Sequence, residues 1–116
     1  MSVSIPEVLG KDQCCIIGKK EWRVSALIKR AEELEVFELP IKYIDLTISY
    51  NFDSMRELCG HVKLIQEADL ESPIILNEDG ALMDGHHRVM KAILEGKDTV
   101  KAVKFEVDPP CEWRRD

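Results

Sequence analysis

The chain has 116 residues, 45% of them hydrophobic and 33% charged, with a formal net charge of −6. That length predicts one domain, able to bury a core without disulfides or a structural metal. The acidic balance, with a pI of about 5.1, argues against wrapping DNA, because neutralising phosphates needs an excess of Lys and Arg; a local basic pocket for one nucleotide remains compatible with it.

The N-terminal stretch MSVSIPEVLGKDQCC has no basic start followed by an apolar run, so no signal peptide is expected. No apolar run reaches the roughly 20 residues a membrane helix requires. A cytoplasmic location is the expectation, and it suits four reduced cysteines, Cys14, Cys15, Cys59 and Cys111, none of which forms a C-x-x-C pair. Cys59 is expected to act as a small buried hydrophobe.

In chain order, CCII reads as a short strand closed by Gly18-Lys19-Lys20. Residues 21–35 then carry Trp22, Val24, Leu27, Ile28, Ala31 and Leu34 at helical spacing, which predicts an amphipathic helix. Phe37, Leu39, Ile41 and Tyr43 alternate with polar residues and with Pro40, so a strand is predicted there. Pro40 places it at a sheet edge or breaks it in two. A second helix starts at Ser54, where Ser54 and Glu57 form a capping box, and its predicted buried stripe is Met55, Leu58, Cys59, Val62 and Ile65. Gly60 in its middle costs about 1 kcal/mol relative to Ala, which signals a weak point or close packing.

Residues 73–83 read as a hairpin turning at Asp79-Gly80, with both turn residues candidates for positive φ. A third helix follows from His86 to about Leu94, with Gly96 as its C-terminal cap. A last strand over residues 99–107 puts Val103, Phe105 and Val107 on one face, Asp108-Pro109-Pro110 ends it, and CEWRRD is a polar tail. The elements together predict an α+β fold, a small mixed β-sheet with packed helices.

The chemistry concentrates at Asp84-Gly85-His86-His87-Arg88, where a strand hands over to a helix. The first amides of a helix have no partner inside it, and the helix dipole is positive there, so such a turn receives anions, phosphate above all. Gly85 permits close approach of the backbone, Arg88 can fork onto phosphate oxygens, and Asp84 can orient a histidine, hold a ribose hydroxyl or share magnesium with phosphates. The plainer reading makes His86 and His87 exposed capping residues and Arg88 a surface charge. Adjacent histidines point apart on a helix, and no three or four ligands occur at metal spacing, so no metal site is expected.

The stretch PIILNEDGALMDGHHRVMKAILEGKDTVKAVKF resembles the ParB/sulfiredoxin superfamily. The landmarks are Pro73-Ile74-Ile75-Leu76, the Gly85-x-x-Arg88 turn, Ala92, Gly96 and Val103, and the likeness spans about residues 36–107. It implies a ParB/sulfiredoxin-like domain over residues 36–116 ending in a short tail, preceded by an N-terminal extension over residues 1–35 that bears the amphipathic helix, the two forming one unit. It also implies a nucleotide (ATP, ADP or CTP, with magnesium) whose phosphates sit on Asp84, Gly85, His86, His87 and Arg88. The Gly-His-His-Arg turn is most similar to the free serine kinases of the superfamily, so phosphotransfer or nucleotide hydrolysis is the expected activity class. In those kinases a carboxylate near the first strand positions the nucleophile, which makes Glu38 and Asp45 the catalytic candidates, against the alternative that both are solvated surface charges. Sulfiredoxin chemistry is not supported, because His86 occupies the position of its cysteine. With no recognition helix after the turn, autonomous DNA binding is not expected. The alternative is a non-catalytic interaction or regulatory module, DNA-associated only through a partner, with KKEW and Trp113 as docking points for a protein; Trp22 can equally cap the core.

Overall fold

A computed structural model describes residues 14–48 and 51–114. The reading of the N-terminal stretch over residues 1–13, and the readings that touch Ser49, Tyr50, Arg115 and Asp116, fall outside them. The described order is β1 (Cys14–Ile17), β2 (Lys20–Arg23), α1 (Val24–Ala31), β3 (Phe37–Pro40), a 3₁₀ turn (Ile41–Tyr43), α2 (Met55–Glu67), β4 (Ile74–Leu76), β5 (Leu82–Asp84), α3 (His86–Leu94), β6 (Thr99–Lys104) and β7 (Trp113–Arg114). The α+β class follows from these elements, which form not one sheet but two: a mixed sheet in the order β3-β6-β4-β5 and an antiparallel one in the order β1-β2-β7. In the mixed sheet β4 runs parallel to β6, with Ile74 opposite Ala102, and α3 makes the crossover between the β4–β5 hairpin and β6.

Strand β4 is buried along its whole length. Its alternation divides the core by face. Ile74 and Leu76 join Val89, Ala92, Val100, Ala102, Ile41 and Ile44 under α3. Ile75 joins Met83, Val103 and Phe105 against Cys15, Trp22, Leu27 and Ala31 on the other side. Leu27, Ile74 and Val103 are sealed almost completely, and full burial of such a side chain stabilises by about 1.5–3 kcal/mol.

The first helix is shorter than its periodicity suggests. Glu21, Trp22 and Arg23 belong to β2, and α1 begins at Val24. Trp22 and Val24 suit either period. Pairing decides between them: Gly18, at φ 61°, turns the chain so that Trp22 lies opposite Cys15. Trp22 is 2% exposed and its indole Nε1 donates to Pro109 O at 2.9 Å. It is therefore a core residue and not a docking point. The polar tail is also structured, because β7 adds to β2 with Glu21 opposite Trp113 and the Arg23 guanidinium stacks 5.2 Å from the Trp113 ring.

Strand β3 stops at Pro40, on the sheet edge, and the chain enters the 3₁₀ turn there, where Ile41 N–H donates to Asp98 O at 2.9 Å. Strand β6 likewise ends at Lys104, leaving Val107 75% exposed instead of in line with Phe105. In the hairpin only Gly80 has positive φ; the loop is organised by buried Asn77, whose Oδ1 accepts from Asp79 N and Ala81 N.

Helix α2 departs most from expectation. Ser54 Oγ accepts from Glu57 N at 3.1 Å, as a cap should, but Glu57 Oε2 accepts from Asp53 N, one residue earlier than a capping box. The predicted buried stripe faces outward: Met55 is 87% exposed, and Leu58, Cys59 and Val62 are exposed too. The buried residue is Gly60, and the neighbouring His61 reaches α3. Lys91 of α3 ties the far end of the pair, donating to Gln66 O at 3.0 Å and Ala68 O at 2.7 Å. Those carbonyls are ones a helix C-terminus leaves unsatisfied.

Candidate functional site

The site forms where β5 runs into α3. Gly85 holds φ 109°, a conformation costly for any residue with a Cβ. A Cβ there would also meet Ile74 Cγ2 at 2.6 Å. The glycine is thus demanded by the sheet beneath it, and its tight fit sets where α3 begins. The first ladder bond is Val89 N–H to Gly85 O at 3.0 Å, so the amides of His86, His87 and Arg88 precede the ladder, and Gly85 offers no side-chain cap.

A cavity of about 350 Å³ opens at this end of α3, lined by Asp84, Gly85, His86, His87 and Arg88 together with Leu64, Glu67 and Ala68 of α2 and its C-terminus. All five turn residues singled out in the sequence are therefore brought together. The Arg88 Nη1 donates to Pro73 O at 2.9 Å and lies 3.6 Å from Asp84 Oδ2. The guanidinium thus has one nitrogen engaged by the protein while the residue still lines the cavity. Asp84 Oδ2 is buried and lacks a hydrogen-bond donor among the described residues. The Arg88 guanidinium offsets its charge from 3.6 Å but is too far to donate, and leaving such an oxygen without a donor costs about 1–3 kcal/mol, which leaves it able to take a hydrogen bond from a ligand.

Asp84 and Arg88 also line a second cavity of about 260 Å³ on the other side, walled by Ile28, Ala31, Leu34 and Val36. His86 has a neighbour of its own, a small groove of about 50 Å³ shared with Asp45, Leu46, Met90 and Ile93. Asp45 is exposed, and the Thr47 amide, donating to its Oδ1 at 3.0 Å, holds its carboxyl below the ordinary value. Glu38 sits on β3, at the edge of the mixed sheet opposite β5, and accepts from Thr99 Oγ1 at 2.9 Å. Of the two carboxylates, Asp45 shares a groove with the turn and Glu38 does not stand beside it.

Sequence reasoning missed His61. Its Nδ1 lies 3.0 Å from His87 Nε2, and its ring meets the Phe52 ring in a T-shaped contact, centroids 5.1 Å apart. Burial pushes the His87 imidazole below its usual value, and the nearby His61 adds to this; burial does the same to His86 against the pull of Asp84. Both are neutral at pH 7. The cavity wall then carries the carboxylates of Asp84 and Glu67 against the one guanidinium of Arg88. Such a wall suits an anion that arrives with a cation better than a bare anion.

Comparison with protein-family models, with curated proteins and with solved structures finds no match to this chain. No described helix is long and apolar enough to cross a membrane.

Proposed function

We propose that the protein binds a nucleotide with magnesium, its phosphates resting on the amides of His86, His87 and Arg88 at the start of α3, in a domain of the ParB/sulfiredoxin kind. The observation that carries this reading is the cavity of about 350 Å³ that gathers Asp84, Gly85, His86, His87 and Arg88 at a helix N-terminus of nine residues. Backbone amides and the dipole favour phosphate oxygens there. The donorless Asp84 Oδ2 supplies a place for a ribose hydroxyl or for the metal that accompanies the phosphates. A phosphotransferase would use Asp45, across the groove from His86, to orient an acceptor hydroxyl. The resemblance of the Gly-His-His-Arg turn to free serine kinases supports that chemistry.

Calorimetry with ATP, ADP and CTP plus magnesium tests binding. The expected result is one site, weakened at least tenfold by His86→Ala and by Arg88→Ala, with circular dichroism confirming that each variant is folded. Unchanged affinity in the folded variants refutes the reading. Turnover with free serine and other small hydroxyl compounds tests transfer, which Asp45→Asn should slow without weakening nucleotide binding.

A second reading, a non-catalytic interaction module, draws support from the outward stripe Met55, Leu58 and Val62 on α2. Nucleotide binding without turnover, together with loss of a partner complex on Leu58→Asp, would favour it.

A further inference from the structure

The fold brings together two histidines that the chain separates. His61 is on α2 and His87 on α3, and their nitrogens Nδ1 and Nε2 face each other at 3.0 Å, with ring centroids 5.3 Å apart. A tetrahedral metal with imidazole bonds of about 2.0–2.1 Å holds two such nitrogens about 3.3 Å apart, close to the distance here; the two nitrogens face each other almost in line, so each ring turns by about 35° to bring both lone pairs onto one metal. Phe52 packs on the His61 ring from outside, and α3 is anchored at Gly85 on Ile74. Both rings are therefore held close together before any ligand arrives, which lowers the cost of bringing them to one metal.

From this geometry we infer that His61 Nδ1 and His87 Nε2 form the protein half of a binding site for a zinc-class divalent cation. Among the described residues no group of three His, Cys, Asp or Glu converges on one point. The cation accordingly has two protein ligands and completes its coordination with water from the cavity that His87 lines, about 350 Å³ in volume and room for several waters. The Asp84 and Glu67 carboxylates on that wall make it favourable for a positive charge. Imidazole is a preferred ligand of zinc, and both rings offer lone pairs when neutral. The proton between the two nitrogens is not lost when the metal enters: the ring that carries it moves it to its other nitrogen. Below the imidazole range protons compete with the metal. The magnesium proposed with the nucleotide is a different ion, held by oxygen, although the two sites share His87 and one cavity wall.

The experiment is titration of the full chain, with thiols reduced and no nucleotide present, with Zn²⁺ at pH 7.5. One Zn²⁺ per chain and a raised Tm are expected, since a ligand of the folded state alone stabilises it. His61→Ala and His87→Ala should each weaken binding at least tenfold, and Cys59→Ser, a nearby thiol on α2, should leave it unchanged. Long-range ¹H–¹⁵N spectra of the unmodified chain supply a readout that needs no variant: Zn²⁺ should move His61 Nδ1 and His87 Nε2 together. Absence of binding, binding that survives both alanine variants, loss in Cys59→Ser, or a shift at only one of the two rings would overturn the assignment.

Discussion

Gly85→Ala is expected to be among the most damaging single-methyl additions in this protein. Two costs add. The backbone there sits at φ 109°, which an alanine tolerates only with strain of about 1–3 kcal/mol. The new Cβ would stand 2.6 Å from Ile74 Cγ2 and 2.9 Å from Ile74 Cβ, and Ile74 is fully buried on a central strand with no room to retreat. Overpacking of that kind costs about 1–3 kcal/mol more. The sum is about 2–6 kcal/mol. For 116 residues the unfolding entropy is about 0.24 kcal/mol/K, so each kcal/mol moves Tm by about 4 °C and the expected fall is about 8–24 °C. Urea denaturation followed by Trp fluorescence measures the free energy, and a thermal scan measures Tm. Gly96→Ala is the comparison: it has positive φ too, at 73°, but a Cβ there meets nothing within 4 Å, so only the strain should register. Equal losses at Gly85 and Gly96 would refute the claim that the sheet beneath α3 imposes the glycine.

Three further outcomes follow from the structure. Trp22→Phe removes the donor to Pro109 O from a sealed site and should destabilise by about 1–3 kcal/mol in urea melts; a neutral result would mean the tryptophan serves only as surface. His86 and His87 have folded-state values below the ordinary 6.5, so the unfolded chain takes up protons first; stability should be complete above about pH 7 and decline as pH falls through 6.5. The His87→Gln variant should show a shallower decline between about pH 7 and 5, and a slope identical to the unmodified chain would show that His87 does not cause it. Burial pushes the Cys15 thiol up to about 11, so a thiol reagent at pH 8 should label exposed Cys14 and Cys59 rapidly and Cys15 only after unfolding. Rapid labelling of Cys15 in the native chain would contradict its place on the core face of β1.

Much of the site was legible locally. The strand end, the glycine, the histidines and the arginine are contiguous, and the start of a helix needs only its own neighbours to be recognised. The cavity beside them was not legible, because its other wall is α2. His61 illustrates the difference. A signal was available: Gly60, His61, Leu64 and Ala68 recur at helical spacing and Gly60 is small, as helix contacts favour. The rival stripe of Met55, Leu58, Cys59, Val62 and Ile65 is more apolar, and an amphipathic pattern favours the greasier face. The structure turns the other one inward, burying Gly60 and half-burying the rest, because Lys91 and His87 hold α2 by its polar groups.

The sequence by itself determined where elements exist: the β4–β5 hairpin, α3 between Gly85 and Gly96, the edge position marked by Pro40 and the capped start at Ser54. Each depends on backbone preferences and on residues a few positions apart. Tertiary structure alone decided that Trp22 joins a strand, that β7 adds to β2, that α2 turns its apolar stripe outward and that Arg88 spends a donor on Pro73. Periodicity states which residues are able to be buried; only the partner that arrives from far along the chain decides which of them are.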